Sequence, residues 1–390
     1  MWPTRVRHIL GPGLLCAFTA LLAACGGGSG SGSNSNSGSL GGEPQAASTG
    51  AIQRFAYVAN FGDNTVSVFT VDAATGQLLP NGVTATGAAP ASVTVDPSGK
   101  FAFVANQDSN NISAFTIDAA TGALAPVAGS PFAAGAGPFC VTVDPSGTFV
   151  YVANRGFSTV SAFTVDAAGA LTPVVGSPFP AGANPASVTV DPSGKFAYVA
   201  NQNSANLSAL TIDTISAFAI DAAGALTAIP GSPFPAGANP TSVTVDPTGR
   251  FVYVANILSN NVSAFTIDAA GALTPVAGSP FPAVASPASV AIDPSGNYVY
   301  VTNRDAASVS AFTVDATGAL AAVAGSPFLS GTGPFSVIVD SSGKFAYTAN
   351  QSANTVSAFA INAATGALTA VGTVPAGTGP VSLAMTKGNP

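Results

Sequence analysis

The sequence has little charge and few of the residues that usually perform hydrolytic or redox chemistry. Among its 390 residues, 10 are Lys or Arg and 17 are Asp or Glu, and there are one His, three Cys and one Trp. Since 47% of the residues are apolar, this sparse charge does not indicate disorder, which requires few apolar residues and a high net charge. The 43 Gly and 30 Pro residues argue against helical bundles and coiled coils, because both residues break helices.

Long apolar runs are absent beyond the N-terminus. After residue 25 no stretch approaches the roughly 18 consecutive apolar residues that a membrane-spanning helix needs, so we expect a soluble body. Residues 1–24 are typical of a bacterial lipoprotein signal, with Arg5 and Arg7 before a short apolar run that ends in Leu-Ala-Ala-Cys. The alternative is an ordinary secretory signal followed by a chance cysteine.

The lipoprotein interpretation predicts three segments. Cleavage follows residue 24, Cys25 becomes the acylated residue, and the Gly/Ser-rich residues 25–51 form a flexible tether. The folded domain is then 52–390. We therefore expect a location in the cell envelope, on the outer membrane, with the body facing the periplasm or the exterior and the lipid as its only membrane contact.

Removal of the signal would leave still fewer reactive groups. His8 and Trp2 depart, and Cys140 becomes the one cysteine of the folded domain, so no disulfide forms within it. Glu43 lies in the tether, which leaves Asp as the only acidic side chain of the domain. The mature chain has 8 basic residues, because Arg5 and Arg7 are lost from the 10, against 17 acidic ones, giving a formal charge of −9. This charge disfavours nucleic-acid partners.

The domain is organised by a repeat with the pattern aromatic, any residue, aromatic, Val or Thr, Ala or Thr, Asn. The final asparagines of the seven copies are separated by 46, 48, 47, 55, 47 and 47 residues. The copies span residues 55–60, 101–106, 149–154, 196–201, 251–256, 298–303 and 345–350. Repeats of this length indicate a radial array or a solenoid.

Each repeat contains four strand signals separated by turn residues, and seven such units predict an all-β, seven-bladed β-propeller with antiparallel blades. In one unit, residues 92–95 alternate and lead into an Asp-Pro-Ser-Gly turn, and a Gly-containing hairpin at 118–122 follows the third strand. The first unit lacks an innermost strand, whereas a spare one remains at 380–385. We therefore expect the C-terminal strand to complete the first blade and close the ring; a linear solenoid is the alternative.

These motifs carry a family resemblance. Residues 300–303 read Tyr-Val-Thr-Asn, and the Asp-Pro-Ser-Gly turn leads into Tyr-Val-Ala-Asn in other units. Over residues 52–386 the chain resembles the lactonase-like, YVTN-repeat propellers, the family named for bacterial 6-phosphogluconolactonase. The resemblance implies the propeller fold and raises lactone hydrolysis as an activity. The motifs themselves are structural, and one fold supports many functions.

One unit departs from the repeat length. Residues 206–213 are followed at once by a near copy at 214–221, which explains the spacing of 55. Because eight is even, a lengthened strand would keep its two faces in register. We favour a looped-out segment; a flap that binds a specific partner is the alternative.

Thirteen of the 16 domain aspartates have an expected role in turns, where a carboxylate accepts backbone hydrogen bonds. Six are in the first turn of each unit: Asp96, Asp144, Asp191, Asp246, Asp293 and Asp340. Seven are assigned to the hairpin after the third strand: Asp72, Asp118, Asp166, Asp213, Asp221, Asp268 and Asp315. Asp63, Asp108 and Asp305 remain, and all three follow a repeat asparagine.

The loop after the repeat asparagine also contains other residues that break the repeat, and it should lie on the face that surrounds the channel mouth. Arg155, Arg304, Phe61 and Phe157 occupy such loops. On the same face, Phe139 and Phe335 follow Gly-x-Gly-Pro, where other units have Ala, Thr or Val. We expect recognition to take place there. Cys140 replaces a repeat serine and is predicted to be an inert, packed thiol, because no histidine is available to activate it.

Two functions follow as hypotheses. The first is a lipid-anchored scaffold whose irregular face binds an envelope protein or a saccharide-like ligand. The second is a lactone hydrolase with Asp63, Asp108 or Asp305 as the base and Arg304 or Arg155 as the cation that stabilises the oxyanion. A phosphosugar substrate fits poorly with two arginines in so acidic a chain. No cofactor is evident; Asp, Asn and backbone oxygens could hold calcium, but no ligand loop with defined spacing supports such a site.

Overall fold

A computed structural model describes residues 53–202 and 213–387, which are built from β-strands and turns. Within these ranges no helix is long and apolar enough to cross a membrane. The predicted signal, the acylation site Cys25, the whole of the tether and residues 206–212 of the first copy of the duplicated segment lie outside the described residues.

The strands form seven antiparallel sheets, the blades of a propeller, which confirms the predicted fold. Blade 1 starts with β1 (Arg54–Asn60), β2 (Thr65–Val71) and β3 (Leu78–Ala85). Blade 2 comprises β4 (Pro90–Val95), β5 (Phe101–Asn106), β6 (Asn111–Ile117), β7 (Leu124–Pro126) and β8 (Phe132–Ala133). Blade 3 comprises β9 (Pro138–Val143), β10 (Phe149–Asn154), β11 (Thr159–Val165), β12 (Leu171–Pro173) and β13 (Phe179–Pro180).

Blades 4 to 6 repeat this order. Blade 4 comprises β14 (Pro185–Val190), β15 (Phe196–Asn201), β16 (Thr214–Ile220), β17 (Leu226–Ala228) and β18 (Phe234–Pro235). Blade 5 comprises β19 (Pro240–Val245), β20 (Phe251–Asn256), β21 (Asn261–Ile267), β22 (Leu273–Pro275) and β23 (Phe281–Pro282). Blade 6 comprises β24 (Pro287–Ile292), β25 (Tyr298–Asn303), β26 (Ser308–Val314), β27 (Leu320–Ala322) and β28 (Phe328–Leu329).

The last blade and the closing strand end the chain. Blade 7 comprises β29 (Pro334–Val339), β30 (Phe345–Asn350), β31 (Thr355–Ile361) and β32 (Leu368–Pro375), and β33 (Pro380–Met385) follows. β33 pairs antiparallel with β1, with Val58 opposite Leu383. The C-terminal strand is therefore the innermost strand of blade 1, as predicted, and the ring is closed between the two ends of the domain.

The core lies between neighbouring blades, because the faces of each sheet pack on the sheets beside it. Between blades 3 and 4, for example, Tyr151 and Val160 share a buried cluster with Val188 and Phe218. The aromatic and β-branched residues of the repeat fill these layers, which explains why the second strand of each blade is almost wholly buried.

The outermost strand of most blades differs from the prediction, which had one unbroken fourth strand in each blade. In blades 2 to 6 it is split into two short pieces that pair with the same third strand. The intervening turn contains Ser-Pro, and in blade 3 the Ser177 hydroxyl accepts a hydrogen bond from the Ala162 N–H at 3.0 Å. Pro178 has no N–H to donate to the ladder, so the strand separates there.

The turn aspartates act as expected, with one exception. Asp144 accepts hydrogen bonds from the Ser146 and Phe149 N–H groups, and Asp166 from the Ala168 and Ala170 N–H groups. The hairpin assignment of Asp213 was wrong. Asp213 precedes β16 and accepts a hydrogen bond from the Asn239 N–H at 2.7 Å, as Asn260 does for Ser286.

The duplicated unit explains this exception. β16 is formed by the second copy and has seven residues, the same length as the third strands of the other blades. The described strand is therefore not lengthened by the duplication. Asp213 therefore stands at the start of a third strand instead of at its end.

Candidate functional site at the channel mouth

Two sets of loops meet on one face of the propeller. The loops joining the second and third strands lie against the segments that lead into the innermost strands. In blade 2 the Gln107 N–H donates to the Ala89 carbonyl at 2.9 Å, and in blade 3 the Arg155 N–H donates to the Gly137 carbonyl at 2.9 Å. This face contains the loops in which the sequence breaks its repeat.

The residue that follows each repeat asparagine lines a cavity at this face. Because every blade places this position at the end of its second strand, the seven side chains form a ring around the channel mouth. The ring consists of Phe61, Gln107, Arg155, Gln202, Ile257, Arg304 and Gln351. We call it the mouth ring.

A second contribution comes from the residue after the first proline of each innermost strand. Phe139 and Phe335 occupy this position in blades 3 and 7, while Ala91, Thr241 and Val381 are smaller counterparts that also line the cavities. The two phenylalanines therefore supply the aromatic surface beside the mouth ring, where an apolar face of a sugar-sized ligand could stack.

Two cavities open side by side at the mouth, with volumes of about 370 and 330 Å³. Both are lined by Phe139, Arg155, Arg304 and Phe335. The first extends toward blades 4 to 6, and the second toward blades 1, 2 and 7. Four of the residues selected from the sequence therefore share one concave surface that can hold a small polar molecule.

Arg155 is partly buried and has no acidic partner among the described residues. Its Nη2 donates to Gln202 Oε1 at 2.6 Å, and the guanidinium carbon lies 4.9 Å from the centre of the Phe139 ring. Burial lowers the pKa of Arg155 from its ordinary value, although so basic a group stays protonated at neutral pH. This residue gives the mouth an unneutralised positive charge.

Arg304 is arranged differently. Its Nε donates to Asp305 Oδ1 at 3.1 Å, and the other carboxylate oxygen, Oδ2, accepts a hydrogen bond from the Ser286 hydroxyl at 2.5 Å. The Ser286 bond, and then the Arg304 bond, hold the pKa of Asp305 below its ordinary value. The Asp305 side chain is 56% exposed, so the ionised carboxylate is accessible to water.

Three of the residues predicted for this site do not line the two cavities. Asp63 accepts a hydrogen bond from the Thr378 N–H, which lowers the pKa of Asp63. Asp108 is exposed in the corresponding loop of blade 2, and Phe157 is 70% exposed in blade 3. Asp305 is therefore the one candidate base that belongs to the lining of the cavities.

The glutamines of the mouth ring were not among the site residues predicted from the sequence. Gln107, Gln202 and Gln351 follow repeat asparagines as Arg155 and Arg304 do, but they look unremarkable beside charged and aromatic residues. The available signal was positional, because the residue after each repeat asparagine varies while the asparagine does not. Their amides can donate and accept hydrogen bonds, as hydroxyl recognition requires.

Cys140 lies at the junction of two blades and is not among the residues that line the two cavities. Burial raises the pKa of the Cys140 thiol, whose Sγ accepts from the Val188 N–H at 3.5 Å. At five other blade junctions a serine hydroxyl accepts instead, as Ser187 does from the Val243 N–H at 3.2 Å. Within residues 53–202 and 213–387, no three His, Cys, Asp or Glu side chains are grouped closely enough to hold a metal ion.

The fold and this site define a seven-bladed propeller with a cationic, aromatic channel mouth. A family model described as "Lactonase, 7-bladed beta-propeller" matches residues 42–143, 129–216 and 207–385. The chain belongs to this lactonase family. A search of curated proteins found no match.

Solved structures show the same fold. A putative 6-phosphogluconolactonase from Bacteroides fragilis is 24% identical, with 87% of this chain and 99% of that chain covered and a TM-score of 0.74. A periplasmic gluconolactonase from Pseudomonas aeruginosa is 21% identical, with 86% and 100% covered and a TM-score of 0.74. A hydrazine synthase chain from Kuenenia stuttgartiensis is 20% identical, with 83% and 99% covered and a TM-score of 0.59. The same architecture therefore occurs in proteins with unrelated names.

Proposed function

We propose that this protein binds a sugar-derived lactone at the channel mouth and hydrolyses it. The observation that carries the proposal is the Arg304–Asp305 pair at the edge of the 370 Å³ cavity, where a base and a cation lie side by side. Membership of the lactonase family supports it, as do the structural neighbours named as gluconolactonases.

Ester hydrolysis needs a base for the attacking water and a donor for the oxygen that becomes negative. In the proposed reaction the Asp305 carboxylate removes a proton from water as the oxygen attacks the lactone carbonyl. Arg304 uses only its Nε in the bond to Asp305, so its terminal amino groups remain for the carbonyl oxygen. Collapse of the tetrahedral intermediate breaks the ring C–O bond, and the proton goes to the alkoxide that leaves.

The remaining side chains would position the substrate. Phe139 and Phe335 offer flat apolar surfaces for a sugar ring, and the mouth-ring glutamines offer amide donors and acceptors for hydroxyls. These roles need no further cofactor in the proposal.

Turnover of a lactone panel tests the proposal. Aldono- and uronolactones are incubated with the purified protein, and acid release is followed at constant pH against the spontaneous rate. Arg304→Ala should lower kcat/KM by about 100-fold, as expected for loss of an oxyanion donor. Arg250→Ala, an exposed arginine on the opposite face, is the matched control and should keep wild-type turnover. No turnover by the wild type, or equal turnover by both variants, would reject the reaction.

A second function, partner binding on the mouth face, is favoured by two exposed apolar side chains. Phe157 in blade 3 is 70% exposed and Leu258 in blade 5 is 69% exposed. A photo-crosslinking residue at Phe157 should capture an envelope protein in cells, and the product should disappear with Leu258→Ser. The control position is Val175, which is 93% exposed in the outer turn of blade 3. Equal capture from both positions would contradict this function.

The proposed setting is the cell envelope, with the chain anchored through Cys25. The support is the N-terminal sequence, in which a short apolar run ends at Leu-Ala-Ala-Cys before a Gly/Ser-rich segment. Growth with labelled palmitate should label the wild-type chain and not Cys25→Ser. Labelling of both proteins, or of neither, would contradict the anchor.

A further inference from the structure

We propose that the ligand of the channel mouth carries a carboxylate, and that Arg155 binds it over the Phe139 ring. The proposal rests on the lactone site proposed above and names its substrate class: a monolactone of an aldaric acid, which keeps its second carboxylate free beside the ester. The two mouth-ring arginines differ in their partners, and the substrate class follows from this difference.

The charge of Arg155 is uncompensated in this structure. Its one hydrogen-bonded side-chain partner is the neutral Gln202, and among the described residues the nearest ring face is that of Phe139. A guanidinium partly removed from water without a counter-ion is unfavourable, and it gains most from an anion that enters the cavity. Because Arg155 lines both cavities at the mouth, an anion can reach it from the channel.

Arg304 cannot serve this purpose equally well. The Asp305 carboxylate already neutralises it, and the same carboxylate would repel a second anion placed nearby. The two sides of the mouth are therefore polarised: net positive at Arg155 and close to neutral at the Arg304–Asp305 pair. A substrate with a carboxylate at one end and an ester at the other matches this arrangement.

The geometry favours a carboxylate over a phosphate monoester. A guanidinium edge pairs two N–H groups with the two oxygens of a planar carboxylate, and one positive charge balances one negative charge. A phosphate monoester carries close to two negative charges at neutral pH. Among the residues that line the two cavities, Arg155 is the one cation without an acidic partner, so a second negative charge would be left unbalanced. The Phe139 ring covers one face of the Arg155 guanidinium and keeps water from that face. This strengthens a hydrogen bond that the guanidinium makes in its own plane.

Calorimetric titration with D-glucuronate, D-glucose and D-glucose 6-phosphate tests this assignment without depending on turnover. The wild type should bind glucuronate about tenfold or more tightly than glucose, as expected for one charge-assisted bond. Arg155→Gln should remove this preference and leave the affinity for glucose unchanged, whereas Arg155→Lys should keep part of it. Arg250→Gln is the matched control on the opposite face and should behave as the wild type.

Three results would overturn the assignment: equal or undetectable binding of glucuronate and glucose, an unchanged preference in Arg155→Gln, or glucose 6-phosphate binding at least as tightly as glucuronate. Circular dichroism of each variant establishes that it is folded. Turnover separates this proposal from the previous one. Hydrolysis of an aldaric monolactone with a kcat/KM unchanged by Arg155→Gln would retain the hydrolase and reject the carboxylate site, whereas selective glucuronate binding without hydrolysis of any lactone would do the reverse.

Discussion

The Tyr347 hydroxyl donates to the Gly76 carbonyl at 3.0 Å, joining blade 7 to blade 1 across 271 residues of sequence. The same bond links neighbouring blades elsewhere, for example between Tyr151 and Gly224 at 3.1 Å. Gly76 has a φ of +75°, and a Cβ at this position would lie 2.3 Å from the Phe345 ring. Tyrosine in the second strand and glycine in the next hairpin therefore form one inter-blade contact.

Phe103 is the exception to this contact and allows a direct test. It occupies the tyrosine position of blade 2 and is fully buried. Because phenylalanine has no hydroxyl, the carbonyl of Gly169, the corresponding hairpin glycine of blade 3, has no tyrosine donor. Phe103→Tyr should raise the free energy of unfolding by about 1 kcal/mol, and Tyr253→Phe should lower it by a similar amount. Urea unfolding followed by circular dichroism measures both. A loss of stability in Phe103→Tyr would contradict the inter-blade role of the hydroxyl.

The same tyrosines predict sensitivity to alkali. Burial, and then the charge of nearby aspartates, raises the pKa of Tyr151 well above its ordinary value near 10, and the same holds for Tyr57, Tyr198, Tyr253, Tyr300 and Tyr347. Because the folded pKa exceeds the unfolded one, the neutral phenols stabilise the fold below pH 10, and this stability is lost as the pH rises above it. Phenolate absorbance from these six should appear together with unfolding. Their ionisation at ordinary pKa with unchanged circular dichroism would contradict this.

A buried ion pair joins the two blades at the closure of the ring. Arg54 of blade 1 contacts Asp340 of blade 7, with side chains 9% and 1% exposed. Arg54→Met should cost about 3 kcal/mol in free energy of unfolding, because it leaves a buried carboxylate without its cation. Lys100→Met is the matched control, since Lys100 holds the same place in blade 2 and is exposed. Equal effects of the two substitutions on urea unfolding would show that the pair does not stabilise the seam.

Much of the fold could be predicted because the same strand-and-turn pattern occurs seven times in the sequence. The aromatic pattern, the Asp-Pro-Ser-Gly turns and the spare strand at Pro380–Met385 each follow from local chemistry that the structure confirms. The split outer strand was not predicted, because strand signals of two or three residues are too short to separate from turns. Asp213 was misassigned because, in a tandem duplication, the sequence does not show which copy forms the strand.

The site could be predicted only in part. Variation after the repeat asparagine pointed to Arg155 and Arg304, and the structure places both at the two cavities. The pairing of Asp305 with Ser286 depends on a loop 19 residues away in sequence, and no local pattern reveals it. Asp108 holds the same position after its repeat asparagine as Asp305, and Asp63 lies one position further on, so no sequence pattern shows that only the Asp305 carboxylate lines a cavity.

The lowered pKa of Asp305 gives a pH prediction. As a base, Asp305 acts when ionised, so kcat/KM should hold from neutral pH into the acid range and fall only below the ordinary value of 3.8. Ser286→Ala removes the larger of the two bonds that lower the pKa, and it should move the acid limb to higher pH. Ser295→Ala, which alters a serine–aspartate contact on the opposite face, should leave the limb in place. Coincident limbs in all three proteins would exclude Asp305 as the titrating base.

The most direct test of the central claim compares two aspartates at equivalent positions. Asp305 and Asp108 are each the second residue after a repeat asparagine, but only Asp305 lines the mouth cavity and pairs with an arginine. Lactone hydrolysis at constant pH gives kcat/KM for the wild type, Asp305→Asn and Asp108→Asn. The account predicts a loss of about 100-fold or more for Asp305→Asn, as expected for removal of a general base, and no change for Asp108→Asn. Equal rates for the two variants would contradict a catalytic channel mouth.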